Sequence, residues 1–384
     1  MSVSADLVIP AASAAELSEI LSWDGIRAAT PAASEFPVDV VRLEGSSSPP
    51  LALSRARRAE SLKALPATLR SRAQEAFGRA SRRPARLALA HGKSLDLEAR
   101  PVLMGILNVT PDSFSDGGLY LDAPRAVERA LRMFEEGAAI VDIGGESTRP
   151  AGYGEAEEVS AEEEIRRVLP VLEGIRRTTT LPLSIDTRKA SVAREAVAAG
   201  ADLVNDVSGL RYDPEMAGAL AETGAGALLM HMKGTDPRTM QFDVSYTHPV
   251  ADVASALARA LARALEAGVS ADRLAVDPGL GFGKTPEGNL VLLRHLAAFA
   301  SLGFPVAAGA SRKAFVRRFS GVADTASSAD RLPGSLACLA AAARAGAALA
   351  RVHDVAESAR FARMLAAIES PARATTRQAP AAAR

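Results

Sequence analysis

The stretch Leu183-Ser-Ile-Asp-Thr-Arg-Lys-Ala-Ser-Val-Ala-Arg-Glu-Ala-Val-Ala-Ala-Gly-Ala-Asp-Leu-Val-Asn205 decides the fold. A short apolar run, Leu183–Ile185, ends on Asp186. A helical stretch, Ser191–Ala199, stops at Gly200, and a second apolar run, Ala201–Val204, ends on Asn205. A strand, a helix with a glycine stop and another strand in so short a span form a parallel crossover unit. The same unit recurs on both sides. Before it come Val102–Leu107 ending on Asn108, and Ala138–Gly145, interrupted by Asp142, ending on Glu146. After it come Ala225–Met230 before His231, Leu274–Val276 before Asp277, Phe304–Ala310 before Ser311, and Ala347–Ala350 before Arg351-Val352-His353. Eight such runs alternating with helical stretches predict an α/β fold, a (β/α)8 barrel over residues 101–370, near the roughly 250 residues usual for that architecture. Chemistry in these barrels sits at the C-terminal ends of the strands, so the residues closing each run are the candidates for substrate contact.

The helices carry their own punctuation. Pro124–Glu136 has Pro at its start and Gly137 after its end, and Ala251–Ala267 stops at Gly268. Ser160-Ala-Glu-Glu163 is a capping box opening a helix over Ala161–Arg177. Residues 1–100 form an N-terminal extension, with a short helix expected at Ala14–Leu21, a strand at Val38–Leu43 and a longer helix at Arg57–Ala80. Residues 371–384, rich in Pro, Ala, Thr and Arg, read as a disordered tail.

The chain of 384 residues balances 45 basic against 45 acidic side chains, which argues against general attraction to nucleic acid or membrane. The balance conceals a net +8 between Arg55 and Arg86, where Phe77 is the lone aromatic; a solvated helix face is the expected reading. The single Cys338 sits in an Ala- and Leu-rich helical stretch, as a buried and inert thiol would. The N-terminus lacks the pattern of a signal peptide and no apolar run suits a membrane span, so a cytoplasmic location is the default.

Several loops carry chemistry. Asn108 to Gly118 is a long polar loop ending in two glycines, suited to covering a substrate. Gly144-Gly-Glu-Ser-Thr-Arg-Pro150 combines small residues, hydroxyls and a guanidinium, a set suited to phosphate. Asp186, Asn205 and Asp277 close strands around one mouth. They suit either a divalent metal or the N–H groups of a nitrogen-rich heterocycle. Asp277-Pro-Gly-Leu-Gly-Phe-Gly-Lys-Thr285 is not a P-loop, because Pro278 stands where the first glycine belongs. Its glycines and Phe282 suggest a shaped loop beside a flat ligand. Arg312, Lys313, Arg351 and His353 gather near strands seven and eight, where barrels commonly hold phosphate. His231 points to the mouth or supports it; His91, His248 and His295 lie outside strand ends and read as surface or packing residues.

Together these segments resemble dihydropteroate synthase. The resemblance is carried in order by Met104 to Gly118, Asp142-Ile-Gly-Gly-Glu-Ser-Thr-Arg-Pro150, Ser184-Ile-Asp-Thr187, Asn205-Asp-Val-Ser-Gly209, Asp277 to Thr285, Ser311-Arg-Lys313 and Arg351-Val-His-Asp354. It implies condensation of 6-hydroxymethyl-7,8-dihydropterin diphosphate with p-aminobenzoate, giving 7,8-dihydropteroate and diphosphate, with Mg2+. It implies that Asp186, Asn205, Asp277 and Lys313 hold the pterin, and that Asn108, Arg351 and His353 bind diphosphate, Asn108 also binding the metal. Thr148 and Arg149 would stand near that anion. Phe114, Pro150, Phe282 and Lys313 would frame the p-aminobenzoate site. Asp186, Lys313 and Asn108 would be the catalytic residues. The family expectation also includes a homodimer and sulfonamide inhibition.

Physical chemistry agrees with that assignment. A departing diphosphate needs cations as its charge develops, and the cationic carbon left behind favours a nearby carboxylate such as Asp186. The aniline nitrogen is already nucleophilic, so no activated Ser or Cys is required. Two departures stand out: Ala314 occupies a position where the family often has Ser for the p-aminobenzoate carboxylate, and Pro150-Ala-Gly stands where Pro-Gly is common. Weaker carboxylate binding is the expected result of the first. A methyltetrahydrofolate-binding methyltransferase barrel would need no diphosphate clamp, so Ser-Thr-Arg-Pro and Arg-Val-His argue against it. A non-catalytic pterin-binding module would have no use for both the anion cluster and the pterin-edge carboxylates.

Overall fold

The computed structural model describes residues 84–98, 101–110, 123–147, 158–246, 249–323 and 327–370, three N-terminal strands, and helical positions at Arg70, Ser71, Gln74, Glu75, Gly78 and Arg79. The helix expected at 14–21, the tail at 371–384, His248, and the candidates Phe114, Thr148, Arg149 and Pro150 lie outside the described residues. The three strands, β1 (Asp6–Pro10), β2 (Ile26–Ala29) and β3 (Val38–Leu43), pair antiparallel in the order β1-β3-β2. The strand expected at Val38–Leu43 is therefore the centre of a small sheet whose outer strands the sequence pattern did not signal. A short antiparallel hairpin follows, β4 (Arg86–Ala88) and β5 (Ser94–Asp96), turning through His91 and Gly92.

The barrel strands are β6 (Val102–Asn108), β7 (Ile140–Gly144), β8 (Leu183–Asp186), β9 (Leu203–Asp206), β10 (Gly226–Met230), β11 (Leu274–Asp277), β12 (Ala307–Ala308) and β13 (Leu349–Val352). They run parallel in the order β11-β10-β9-β8-β7-β6-β13-β12. A parallel bridge between Val276 and Val306, with Val276 N donating to Pro305 O at 2.9 Å, joins the two ends of the sheet and closes it. Strands buried on both faces require the continuous apolar runs read in the sequence. The intervening helices are α1 (Ala123–Glu136), α2 (Ala161–Arg176), α3 (Ala190–Ala198), α4 (Met216–Thr223), α5 (Pro249–Glu266), α6 (Pro286–Arg294), α7 (Ala314–Phe319), α8 (Leu332–Arg344) and α9 (Val355–Glu369). Ser160 caps α2, its Oγ accepting from Glu163 N at 3.2 Å. No described helix is long and apolar enough to cross a membrane. By backbone proximity β3 lies beside α5, and β1 beside the 3-10 turn Leu296–Leu302.

Alternation along the strands connects the fold to the site. Leu87, Leu89, Leu95 and Leu97 of the hairpin are buried with Met104, Ile140, Leu203, Leu228, Ala275 and Leu349 in one lower core. Residues two apart on a strand share a face. The side chains directly above this lower core are therefore Asp142 above Ile140, Asn205 above Leu203, Asp277 above Ala275 and Arg351 above Leu349. One inward face begins as a leucine plug and ends as a polar mouth. The hairpin belongs physically to the barrel floor, although by sequence it falls within the extension. Buried Asp202 locks it there, receiving Lys93 Nζ at 3.2 Å, His91 Nδ1 at 2.9 Å, Leu183 N at 2.9 Å and Arg176 Nη2.

Candidate active site

Four strands deliver the centre of the mouth. Arg351, two residues above the plug on β13, reaches across the barrel: its Nε donates to Asp142 Oδ2 and its Nη2 to Asp186 Oδ2, both at 2.7 Å. Asn205 Nδ2 donates to the same Asp142 oxygen at 3.0 Å. Asn108 closes β6, where it pairs in register with Gly144, which in turn pairs with Asp186. A methyl group on Gly144 would meet Asp186 Cβ at 3.5 Å and Asn108 Oδ1 and Asp186 Oδ2 at 3.8 Å each, so both oxygens lie beside this glycine.

Asp277 and Lys313 form the opposite wall. Asp277 Oδ1 accepts from Gly279 N at 2.6 Å, folding the glycine loop back over its own strand. Lys313 Nζ donates to Leu280 O of that loop and lies 4.3 Å from the centre of the Phe282 ring. Phe282 packs with Val207, Met230, Met232 and Met240, an apolar patch suited to the face of a flat ligand. His353 closes β13 with Nδ1 at 3.1 Å from Ser311 Oγ.

Burial sets the charges. It pushes Asp186 up to about 7, with Arg351 opposing and Asp142 adding to the rise, and it raises Asp277 against the pull of Lys313. It also lowers Lys313 to about 7, with Asp277 opposing. His353 falls to about 3 through burial and then through Arg351 and Arg312, so its ring is neutral at physiological pH. Arg351 keeps its proton, because Asp142 and Asp186 outweigh the burial. Strands and glycine turns therefore hold acids and bases with displaced proton affinities at one rim, the signature of a functional site.

The expected residues Asn108, Asp186, Asn205, Asp277, Phe282, Lys313, Arg351 and His353 all sit at the C-terminal end of the barrel. Two details differ from the sequence-based expectation. Arg312 does not face the anion region through a free guanidinium: its Nε donates to Asp354 Oδ2 at 3.0 Å, and its backbone holds φ at 60°. His231 falls out of step with inward-facing Leu228 and Met230, and its Nδ1 meets Lys284 Nζ at 2.9 Å under the glycine loop. It supports the loop rather than lining the mouth.

Three features were not legible in the sequence. Asp142 was visible only as a charge interrupting an apolar run; an ionisable residue inside a strand buried on both faces was the signal. Lys284 is wholly internal, donating to His231 O and Phe282 O at 3.0 Å each. Glu146, at the root of the second loop, is gripped by Arg188 Nη2 at 2.9 Å and Lys189 Nζ at 2.6 Å, and Lys189 also reaches buried Glu164 at 2.6 Å. The spacing of Asp186-Thr-Arg-Lys189 held no clue to that partner.

A family model described as pterin binding enzyme matches residues 104–353. The dihydropteroate synthase of Escherichia coli strain K12 is 45% identical over 269 residues, covering 70% of this chain and 92% of that protein. The chain belongs to the dihydropteroate synthase family of pterin-binding enzymes. Among solved structures, the Xanthomonas albilineans dihydropteroate synthase with 4-aminobenzoic acid matches with a TM-score of 0.68 at 44% identity, covering 74% of this chain and 98% of that one. The same enzyme in complex with 7,8-dihydropteroate matches at 42% identity with a TM-score of 0.65, covering 74% of this chain and 99% of that one. The dihydropteroate synthase matches take in most of each relative's length, and the family model begins within β6 and leaves the N-terminal sheet outside its bounds.

Proposed function

We propose that the chain condenses 6-hydroxymethyl-7,8-dihydropterin diphosphate with p-aminobenzoate, giving 7,8-dihydropteroate and diphosphate. The observation that carries this reading is the convergence of Asp142, Asp186, Asn205 and Arg351 in one hydrogen-bonded group, facing Lys313 and Phe282 across the mouth. Acceptors suit the N–H edge of a flat bicycle and cations suit its charged substituent.

In this reading Asp186, Asn205 and Asp277 accept from the pterin, Lys313 donates to it, and the Phe282 patch lies along its neighbour, p-aminobenzoate. Phe114 and Pro150 would complete that second pocket, and Thr148 and Arg149 the anion side, by their places in the family's motifs. The bond between the methylene carbon and the diphosphate oxygen breaks, both electrons leaving with diphosphate. Arg351 and neutral His353, an N–H donor, stabilise the growing negative charge. The cationic methylene carbon, conjugated with the pterin, is favoured by ionised Asp186. The aniline nitrogen then bonds to that carbon and loses its proton to water or to the released diphosphate.

A Mg2+ ion fits the donor chemistry. Among the described residues there is no group of three or more His, Cys, Asp or Glu that could hold a metal, while part-exposed Asn108, at the end of β6, offers a hard oxygen. An ion held through one or two protein oxygens and substrate phosphates is the usual manner of Mg2+. When bound, it would neutralise diphosphate charge. A homodimer, which rests on the family resemblance, and a cytoplasmic location complete the reading.

Lys313→Ala and Asp186→Asn are each expected to lower dihydropteroate formation by at least a hundredfold, with the far-ultraviolet circular dichroism unchanged. Full activity in either purified variant would overturn the role of that residue. Calorimetry with inorganic diphosphate should show Mg2+-dependent binding by the parent protein.

A further inference from the structure

The Nε and Nη2 donors of arginine form the edge that ordinarily closes side-on over a single carboxylate. In Arg351 that edge is divided: Nε goes to Asp142 and Nη2 to Asp186, each at 2.7 Å. Asp142 lies on β7 and Asp186 on the adjacent β8, where Asp142 pairs in register with Ser184, two residues before Asp186. The guanidinium therefore sits between two acids at successive levels of the mouth. Among the described residues no hydrogen bond reaches Asp186 Oδ1, so Asp186 keeps one oxygen uncommitted.

Asp142 itself is fully buried, and its Oδ1 has no hydrogen-bond partner. A buried, unpaired carboxylate oxygen costs stability. Stability alone does not account for an acid at this position, where the alternating pattern of β7 would accept an apolar residue. Asn205 steadies it by donating to Oδ2, the same oxygen that holds Arg351. Asp142 is thus held by two residues that the proposed reaction uses, Asn205 and Arg351, and of the two Arg351 carries the charge.

We propose that Asp142 is a positioning residue that retains the Nε–H of Arg351, stopping the guanidinium from closing side-on over Asp186 and leaving one Asp186 oxygen for the pterin. The inference rests on the roles of Arg351 and Asp186 in the proposed reaction and adds a third member to them. Without Asp142, Arg351 keeps Asp186 as its one hydrogen-bonded acid and folds onto it with both donors. Asp186 is then occupied by its own neighbour, and the guanidinium turns away from the anion region. Asp142 acts through Arg351 and does not touch the reacting atoms.

The test is a double-mutant cycle read through steady-state kinetics on the full chain. Asp142→Ala should raise KM for the pterin diphosphate at least tenfold and leave KM for p-aminobenzoate within about twofold. Asp142→Asn should recover most of that loss, because its amide oxygen still accepts from Nε. In an Arg351→Ala background, Asp142→Ala should have a much smaller effect on KM, the remainder passing through Asn205. Unchanged constants in Asp142→Ala, or an equal added effect with and without Arg351, would overturn the proposal while leaving the proposed reaction standing. So would equal losses in Asp142→Ala and Asp142→Asn. An Arg351→Ala variant with unaltered KM would instead sink the role of Arg351 itself, and this inference with it. Should Asp142→Ala not fold, Asp142→Ser, whose shorter side chain falls short of Nε, takes its place in the cycle.

Discussion

Buried ionisable side chains at the mouth leave opposite marks on stability. His353 has its proton affinity lowered to about 3 by burial, whereas an unfolded imidazole titrates near 6.5. Below that pH the unfolded chain takes up a proton that the folded chain refuses, so stability is lost as pH falls toward 3. Asp186 behaves in the other sense. Burial raises it to about 7, so between its unfolded value and pH 7 the folded chain holds a proton that the unfolded one has released. Its burial therefore costs nothing in strong acid and costs most above pH 7. Urea titrations of variants separate the two. His353→Asn should gain on the parent by up to about 1.4 kcal/mol per pH unit as pH falls from 6.5 to 4. Asp186→Asn should be more stable than the parent at pH 8, on the order of 2 kcal/mol, with the margin vanishing near pH 4. If either margin ran in the reverse direction with pH, the burial account would fail. A stabilised but inactive Asp186→Asn would mark this acid as held for chemistry at the expense of stability.

At the scale of the element, the glycine loop after β11 shows how a backbone turn sets side-chain chemistry. Gly279 has φ at 68°, and a Cβ there would lie 1.9 Å from His231 O. The loop can fold onto β10 only because that side chain is missing. Lys284, tied to His231 and Phe282 from beneath, keeps the fold in place, and Lys313 and Phe282 take their positions from it. Gly279→Ala should therefore cost about 2–3 kcal/mol in urea unfolding, from strain and from the forced displacement of the loop. It should also reduce activity at saturating p-aminobenzoate, measured by dihydropteroate release. The element boundaries read from sequence agree with the structure within a few residues for seven of the barrel strands, because continuous apolar runs and glycine stops are local signals. The seventh run, Phe304–Ala310, shortens to Ala307–Ala308, since β12 is where the sheet closes and only part of the run finds a partner. His231 was ambiguous for a related reason: its neighbour in space, Lys284, is 53 positions away.

For the whole molecule, the separation between barrel and extension is a question of which leucines fill the floor. Leu87, Leu89, Leu95 and Leu97 are at most 3% exposed and pack under the strands. Deleting residues 1–83 should leave the barrel folded, whereas deleting residues 1–98 should abolish cooperative unfolding, because each buried leucine lost costs about 2–5 kcal/mol. Thermal melts of the two truncations test this, and an equally stable 1–98 deletion would show that the hairpin is dispensable. Sedimentation of the shorter truncation would also show whether the N-terminal sheet bears on oligomeric mass. Sequence alone determined the barrel, its strand order along the chain and the identity of most mouth residues, because parallel strands buried on both faces must be apolar until they end. It could not assign Asp142 to the mouth, place the hairpin in the floor or divide the edge of Arg351 between two acids. Those outcomes depend on the pairing and curvature of the sheet, which turn residues 142, 186, 205 and 351 inward within hydrogen-bonding reach, and no local pattern encodes a distance between side chains on four separate strands.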